Sequence, residues 1–268
     1  EGETVMFKRG VSLKDHPKIY EWLAQVENEM KHTLASATAD VLAEMNALQP
    51  QGPDAPLDVP AYLGWIDRCP AQLLLIATQI GWTRQVEDAL TAAASGGGSQ
   101  ALTAVVADVE TKLAHLADAV LEDIPAMKRS KLEYLITECV HQRDVTRQLV
   151  ADGVASAADF AWLYQMRFYW DETADSFLKK VVIRMADASF AYGWEYLGVA
   201  ERLVQTPLTD RCYLTLTQAL ESRMGGSPFG PAGTGKTETV KALGQQLGRF
   251  VIVFCCDENF DFQAMGRI

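Results

Sequence analysis

The amino-acid sequence predicts a mostly α-helical segment followed by an incomplete α/β phosphate-loop module. Three observations carry that prediction. Apolar residues recur at helical spacing through most of the chain up to Phe190. The run "GPAGTGKTETV", Gly230 to Val240, spells a complete G-x-x-x-x-G-K-[ST] loop. Only one further apolar run follows before Ile268, less sheet than a nucleotide hydrolase needs.

Taken in order, residues 16–46 carry Ile19, Trp22, Leu23, Val26, Met30 and Leu34 at the spacing of one helix face. "LQPQGPDAPLDVP" interrupts with four prolines and reads as a loop. "AYLGWIDRCPAQLLLIATQIGWTRQVEDAL" resumes as helices, with a boundary at Cys69-Pro70, because a residue before proline avoids the helical region. "SGGGS", Ser95 to Ser99, reads as a flexible surface loop. Residues 100–123 and 128–151 are two more amphipathic helices. The second places Leu132, Leu135, Ile136, Val140, Val145 and Leu149 largely on one side. The aromatic cluster between Trp162 and Trp170 is expected in the core or at an interdomain contact. "KKVVIRMADASFAYGWEYLG" alternates as strands do. No internal repeat is visible.

The bulk numbers narrow the class of function. The chain has 268 residues, 49% hydrophobic, enough for one large or two modest domains. Its net charge of -11 argues against a general nucleic-acid or anionic-membrane surface. Five scattered cysteines suit free thiols in a reducing compartment. No apolar run approaches a membrane span, and no signal peptide is visible. His141, among core positions of a helix and with no His or Cys at i+3 or i+4, reads as packed or hydrogen-bonded rather than as a zinc ligand. The chain opens on Glu1 and stops inside an apparent αβ unit, so it reads as a segment of something longer.

The chemistry of the loop explains its spelling. Gly230, Pro231, Ala232, Gly233, Thr234 and Gly235 must wrap a phosphate with inward-pointing N–H groups, a conformation that disfavours side chains. A helix starting at Lys236 would aim its positive end at the anion. Lys236 is placed to reach the β- and γ-phosphates, and the Thr237 hydroxyl to ligate Mg²⁺, with Glu238 next in line. Val240, Leu243, Gly244 and Leu247 make the helix's buried face, and Gly248 can end it in a left-handed cap. "RFVIVF" is expected as a buried strand. Adjacent Cys255 and Cys256 are expected as a buried or half-buried thiol pair, since a bridge between neighbours is strained.

"LVQTPLTDRCYLTLTQAL" and "GGSPFGPAGTGKTETVKALGQQLGRFVIVFCCDENFDFQAMGRI" strongly resemble the start of the first AAA+ module of the dynein heavy chain, and look most like cytoplasmic dynein. "KLEYLITECVHQRDVTRQLV" and "WLYQMRFYW" resemble the C-terminal part of the dynein linker. Cys255 departs from the family, which usually carries Asn there. The resemblance implies a linker over residues 1–191 and the beginning of the module over 192–268. It implies ATP or ADP with Mg²⁺ at the loop, and adenine against Val204, Pro207 and Leu208. It also implies microtubules, intermediate and light chains and a second heavy chain as partners through parts outside this segment, and no nucleic acid or membrane. Minus-end-directed motility in the cytoplasm is the expected role; ciliary beating is the alternative. In the AAA+ arrangement the strand after the loop's helix sits away from the phosphate-bearing one. Asp257 and Glu258 are therefore expected to cap a strand end or begin a turn, not to serve as the catalytic acid pair.

Two readings from other classes stand beside this one. A small self-contained ATPase or kinase fails for want of a catalytic acid and a full sheet. A helical interaction protein whose loop binds nothing would be separated by a nucleotide-binding measurement.

Overall fold

The computed structural model describes residues 2–12, 14–15, 18–48, 57–94, 100–199, 202–258 and 260–267. Most of the proline-rich loop and all of the Ser95–Ser99 loop lie outside the described residues. Five long helices come first: α1 (Ile19–Leu48), α2 (Val59–Arg68), α3 (Ala71–Ala92), α4 (Gln100–Val120) and α5 (Ala126–Ala151). A short α6 (Phe160–Leu163) leads into β1 (Arg167–Trp170), and a 3₁₀ turn precedes β2 (Val181–Met185) and β3 (Ala188–Ala191). Then come α7 (Pro207–Glu221), α8 (Lys236–Gln246) and α9 (Phe262–Gly266). The mostly helical segment with a partial α/β module is what the sequence predicts.

Local chemistry sets the boundaries. Asp58 caps α2 by accepting from the Ala61 N–H at 3.1 Å, and Pro60 sits in the first turn, where its missing N–H costs nothing. Cys69 turns extended ahead of Pro70 and ends α2, at the expected boundary. Thr206 caps α7, with Pro207 as its first helical residue.

α3 is the pillar of the scaffold. Leu73, Leu74, Ile76, Ala77, Ile80, Val86 and Leu90 are buried in a core shared with α1, α2, α4 and α5. Gln72, Gln79 and Thr83, at i, i+7 and i+11, form a buried polar stripe along it. Each is satisfied across the fold: Gln72 by Tyr192 and Glu195, Gln79 by Gln246, and Thr83 by the Phe168 N–H. On α1 the expected stripe is only half used. Leu34 is buried, but Ile19 and Leu23 are exposed, because the described elements pack against the C-terminal half of that helix. On α5 Leu132, Leu135, Val145 and Leu149 are buried as expected, and Ile136 and Val140 partly so.

The three strands form one antiparallel sheet in the order β1-β2-β3, with Ile183 opposite both Phe168 and Phe190. Val181, Ile183 and Met185 alternate into the core. β1 falls inside the aromatic cluster, where Trp162 and Phe168 are buried, and the aromatic run carries no strand alternation of its own.

Two expectations at the C-terminal end need correction. "RFVIVF" forms no strand: Phe250, Ile252, Val253 and Phe254 are 69%, 59%, 46% and 45% exposed. An apolar segment becomes a strand only by pairing, and no described strand lies alongside it. For the same reason Cys255 and Cys256 are exposed free thiols rather than a buried pair. Asp257 does begin a turn, its carbonyl accepting from the Phe260 N–H at 3.1 Å.

α8 ends as the sequence predicts. Gly248 has φ +66°, its N–H donates to the Gln245 carbonyl at 3.0 Å, and the Arg249 N–H donates to the Gly244 carbonyl at 2.8 Å. A Cβ at Gly248 would also lie 2.4 Å from the Tyr192 ring. Gly248→Ala should therefore destabilise the fold by roughly 2–4 kcal/mol, from left-handed strain and overpacking together. Gly225→Ala, in open space, should change stability by less than about 0.5 kcal/mol. Denaturant midpoints of the two variants check this.

Candidate phosphate-binding site

The loop between Gly230 and Gly235 is held by backbone geometry that only glycine adopts easily. Gly233 and Gly235 have φ +78° and +79°, and nothing lies within 4 Å of where either Cβ would be. The positions are glycine because of conformation, not crowding. Gly235 is the N-cap of α8 and brings no side chain to its first amides, so none of these N–H groups is engaged by a capping side chain. Thr239 closes the first turn, its N–H and hydroxyl both donating to the Gly235 carbonyl, at 2.9 and 3.0 Å.

Lys236 folds back over its own loop. Its Nζ donates to the Gly230 carbonyl at 2.9 Å, to the Pro231 carbonyl, and to Thr234 Oγ1 at 3.5 Å. Thr234 Oγ1 in turn donates to the Pro231 carbonyl at 2.9 Å. The ammonium thus sits in the bend of the loop, held by carbonyls that a phosphate would replace as partners. Thr237, one residue into α8, is exposed. Glu238 is also exposed and pairs with Lys241 at 2.8 Å. Left-handed glycines, an uncapped helix start and an exposed threonine beside the lysine are a donor set that fits a nucleotide phosphate with its Mg²⁺. Among the described residues no cluster of three His, Cys, Asp or Glu side chains could hold a metal by itself.

Val204, Pro207 and Leu208 are exposed at the head of α7, while the loop lies at the head of α8. They lie on a different element from the loop. Around them Gln205 Nε2 donates to Asp210 Oδ1 at 3.0 Å. Burial pushes the Asp210 carboxyl above its usual range, and nearby His141 of α5 and Gln205 oppose that rise. His141 is half-buried and faces the α7 start electrostatically.

The opposite end of α8 is fastened to the scaffold. The Gly193 N–H donates to the Leu247 carbonyl and the Glu195 N–H to the Gly248 carbonyl, both at 2.9 Å. Gln79 Nε2 donates to Gln246 Oε1 at 2.9 Å in a buried setting. Between the two backbone bonds stands Trp194, fully buried at φ +60°, with its indole N–H on the Leu178 carbonyl at 2.9 Å. A bulky residue in that region is strained and persists only where its surroundings fix it. Gln79 and Gln246 are not legible in the sequence, because buried amides on a helix carry no pattern distinct from surface ones.

Fold and loop together define a phosphate-loop nucleotide-binding module joined to a helical scaffold. Residues 192–268 match the family described as the hydrolytic ATP binding site of the dynein motor region. Over its whole length the chain is 56% identical to the cytoplasmic dynein heavy chain of Dictyostelium discoideum, 55% to that of Drosophila melanogaster and 51% to that of Caenorhabditis elegans. The chain is thus similar over its whole length to cytoplasmic dynein heavy chains. It spans about 6% of the length of these curated relatives.

Proposed function

We propose that this chain is a motor segment in which residues 1–191 are the C-terminal part of the linker and residues 192–268 begin the first AAA+ module. ATP binds with its phosphates in the loop from Gly230 to Glu238 and its Mg²⁺ on the Thr237 hydroxyl. Lys236 leaves the loop carbonyls and neutralises the β- and γ-phosphates. Adenine packs on Val204, Pro207 and Leu208. ATP hydrolysis in the parent heavy chain moves the linker, and the product is minus-end-directed travel along microtubules in the cytoplasm. Intermediate chains, light chains and a second heavy chain join through other parts of that protein. The names of the similar proteins favour the cytoplasmic over the ciliary setting.

One observation carries the coupling in this reading. The helix that starts at the phosphate loop ends in hydrogen bonds to the segment leaving the scaffold, so a shift of α8 reaches residues 193–195 directly.

The segment alone should turn no ATP over, because among the described residues no strand lies alongside the exposed "RFVIVF" run. Steady phosphate release from purified residues 1–268 that vanishes in Lys236→Ala would contradict this. Nucleotide binding by the parent heavy chain that is lost in Lys236→Ala supports the assignment of the loop.

A further inference from the structure

Arg202 lies two residues ahead of Val204, in the lead into α7. Its Nη2 donates to Glu138 Oε2 on α5, and the two side chains are 7% and 2% exposed. The other Glu138 oxygen accepts from Gln142 Nε2 at 2.9 Å. The guanidinium also stands 5.5 Å from the centroid of the Tyr134 ring, again on α5. Every strong interaction of this arginine is thus with one scaffold helix. Arg202 and Leu203 further line a small pocket with Leu75 of α3, Tyr213 of α7, and Ala242 and Gln245 of α8. Arg202 therefore sits where the scaffold meets α7 and α8.

A buried ion pair is a poor source of stability, since apolar residues of similar volume serve as well. What this one supplies is a fixed geometry. The planar guanidinium is set by a carboxylate that is itself held by Gln142, and by a ring face. The backbone at 202 is pinned, and Val204 to Leu208 follow within a few residues.

We propose that Arg202, held by Glu138 and Tyr134, is a positioning residue that sets the Val204–Leu208 stretch for the adenine base, so that the helical scaffold tunes base affinity at the phosphate-loop site. This rests on the assignment of that stretch to adenine. A scaffold that moves with the nucleotide cycle would then change affinity for ATP through α5, and bound base would bias the scaffold by the same factor.

The experiment uses the full-length heavy chain and steady-state phosphate release with two substrates, ATP and ribose 5-triphosphate, which lacks the base. Arg202→Gln and the isosteric Glu138→Gln should each raise KM for ATP about tenfold while moving KM for ribose 5-triphosphate less than about twofold. Arg202→Lys, which keeps the charge but not the planar fork, should recover only part of the loss. The double variant should be little worse than either single one, since both break one interaction. An equal rise in KM for both substrates marks a general packing defect and overturns the proposal, as does an unchanged KM for ATP. Wild-type KM values that do not differ between the two substrates would remove the adenine assignment itself, and this proposal with it.

Discussion

Lys236→Ala in the full motor should stop microtubule gliding and weaken ATP binding by about 10- to 150-fold, the range for losing one charge-assisted contact of about 1.5–3 kcal/mol. The structure adds a reason to expect a clean result. The lysine is bound only to carbonyls and a hydroxyl of its own exposed loop, so its removal leaves no buried partner unsatisfied. α8 should keep its place, because its fastening to the scaffold lies at Gln246 to Gly248, at the far end. Binding and gliding should therefore fail while the unfolding midpoint stays put. Normal gliding velocity in this variant would refute the placement of phosphate at the loop. Loss of gliding together with a large fall in stability would refute the reading of Lys236 as a surface ligand.

The loop and its helix were legible because their information is local. Glycine at 233 and 235, lysine at 236 and a left-handed cap at 248 are each dictated by the backbone within one or two turns, and each stands where the spelling puts it. The same holds for α2, capped by Asp58, and for the apolar periods of α3 to α5. Misreadings arose where structure depends on partners far along the chain. "RFVIVF" has the composition of a buried strand, but pairing decides, and no described neighbour pairs with it. The N-terminal half of α1 likewise shows an apolar stripe with little against it. β1 hid in an aromatic run whose strand character appears only through its register with β2. The parts of the joint were not legible in the sequence. Gln79 meets Gln246 across 167 positions, and Arg202 meets Glu138 across 64, separations over which one sequence offers no periodicity.

The second large effect concerns that joint. Residues 193–195 connect the sheet of the scaffold to the end of α8 through two backbone hydrogen bonds that bracket a strained, fully buried Trp194. Gly193 fits there because a Cβ would lie 2.6 Å from the Gly248 carbonyl oxygen, so the two backbones approach as closely as glycine permits. A ligand shifts a conformational equilibrium only through differential affinity for its states, and the states must be mechanically joined to the ligand site. Inserting a flexible Gly/Ser spacer after Gly193 separates the two hydrogen bonds and frees Trp194 from its setting. The phosphate loop, at the other end of α8, is left as it was.

The most direct test of coupling between scaffold and nucleotide site is to measure gliding velocity beside ATPase rate for the full-length motor carrying that spacer. Coupling through residues 193–195 predicts that velocity collapses, by about tenfold or more, while hydrolysis stays within about threefold of wild type. If velocity and hydrolysis both remain near wild type, the helical region is a neighbouring domain and not a lever driven from this site.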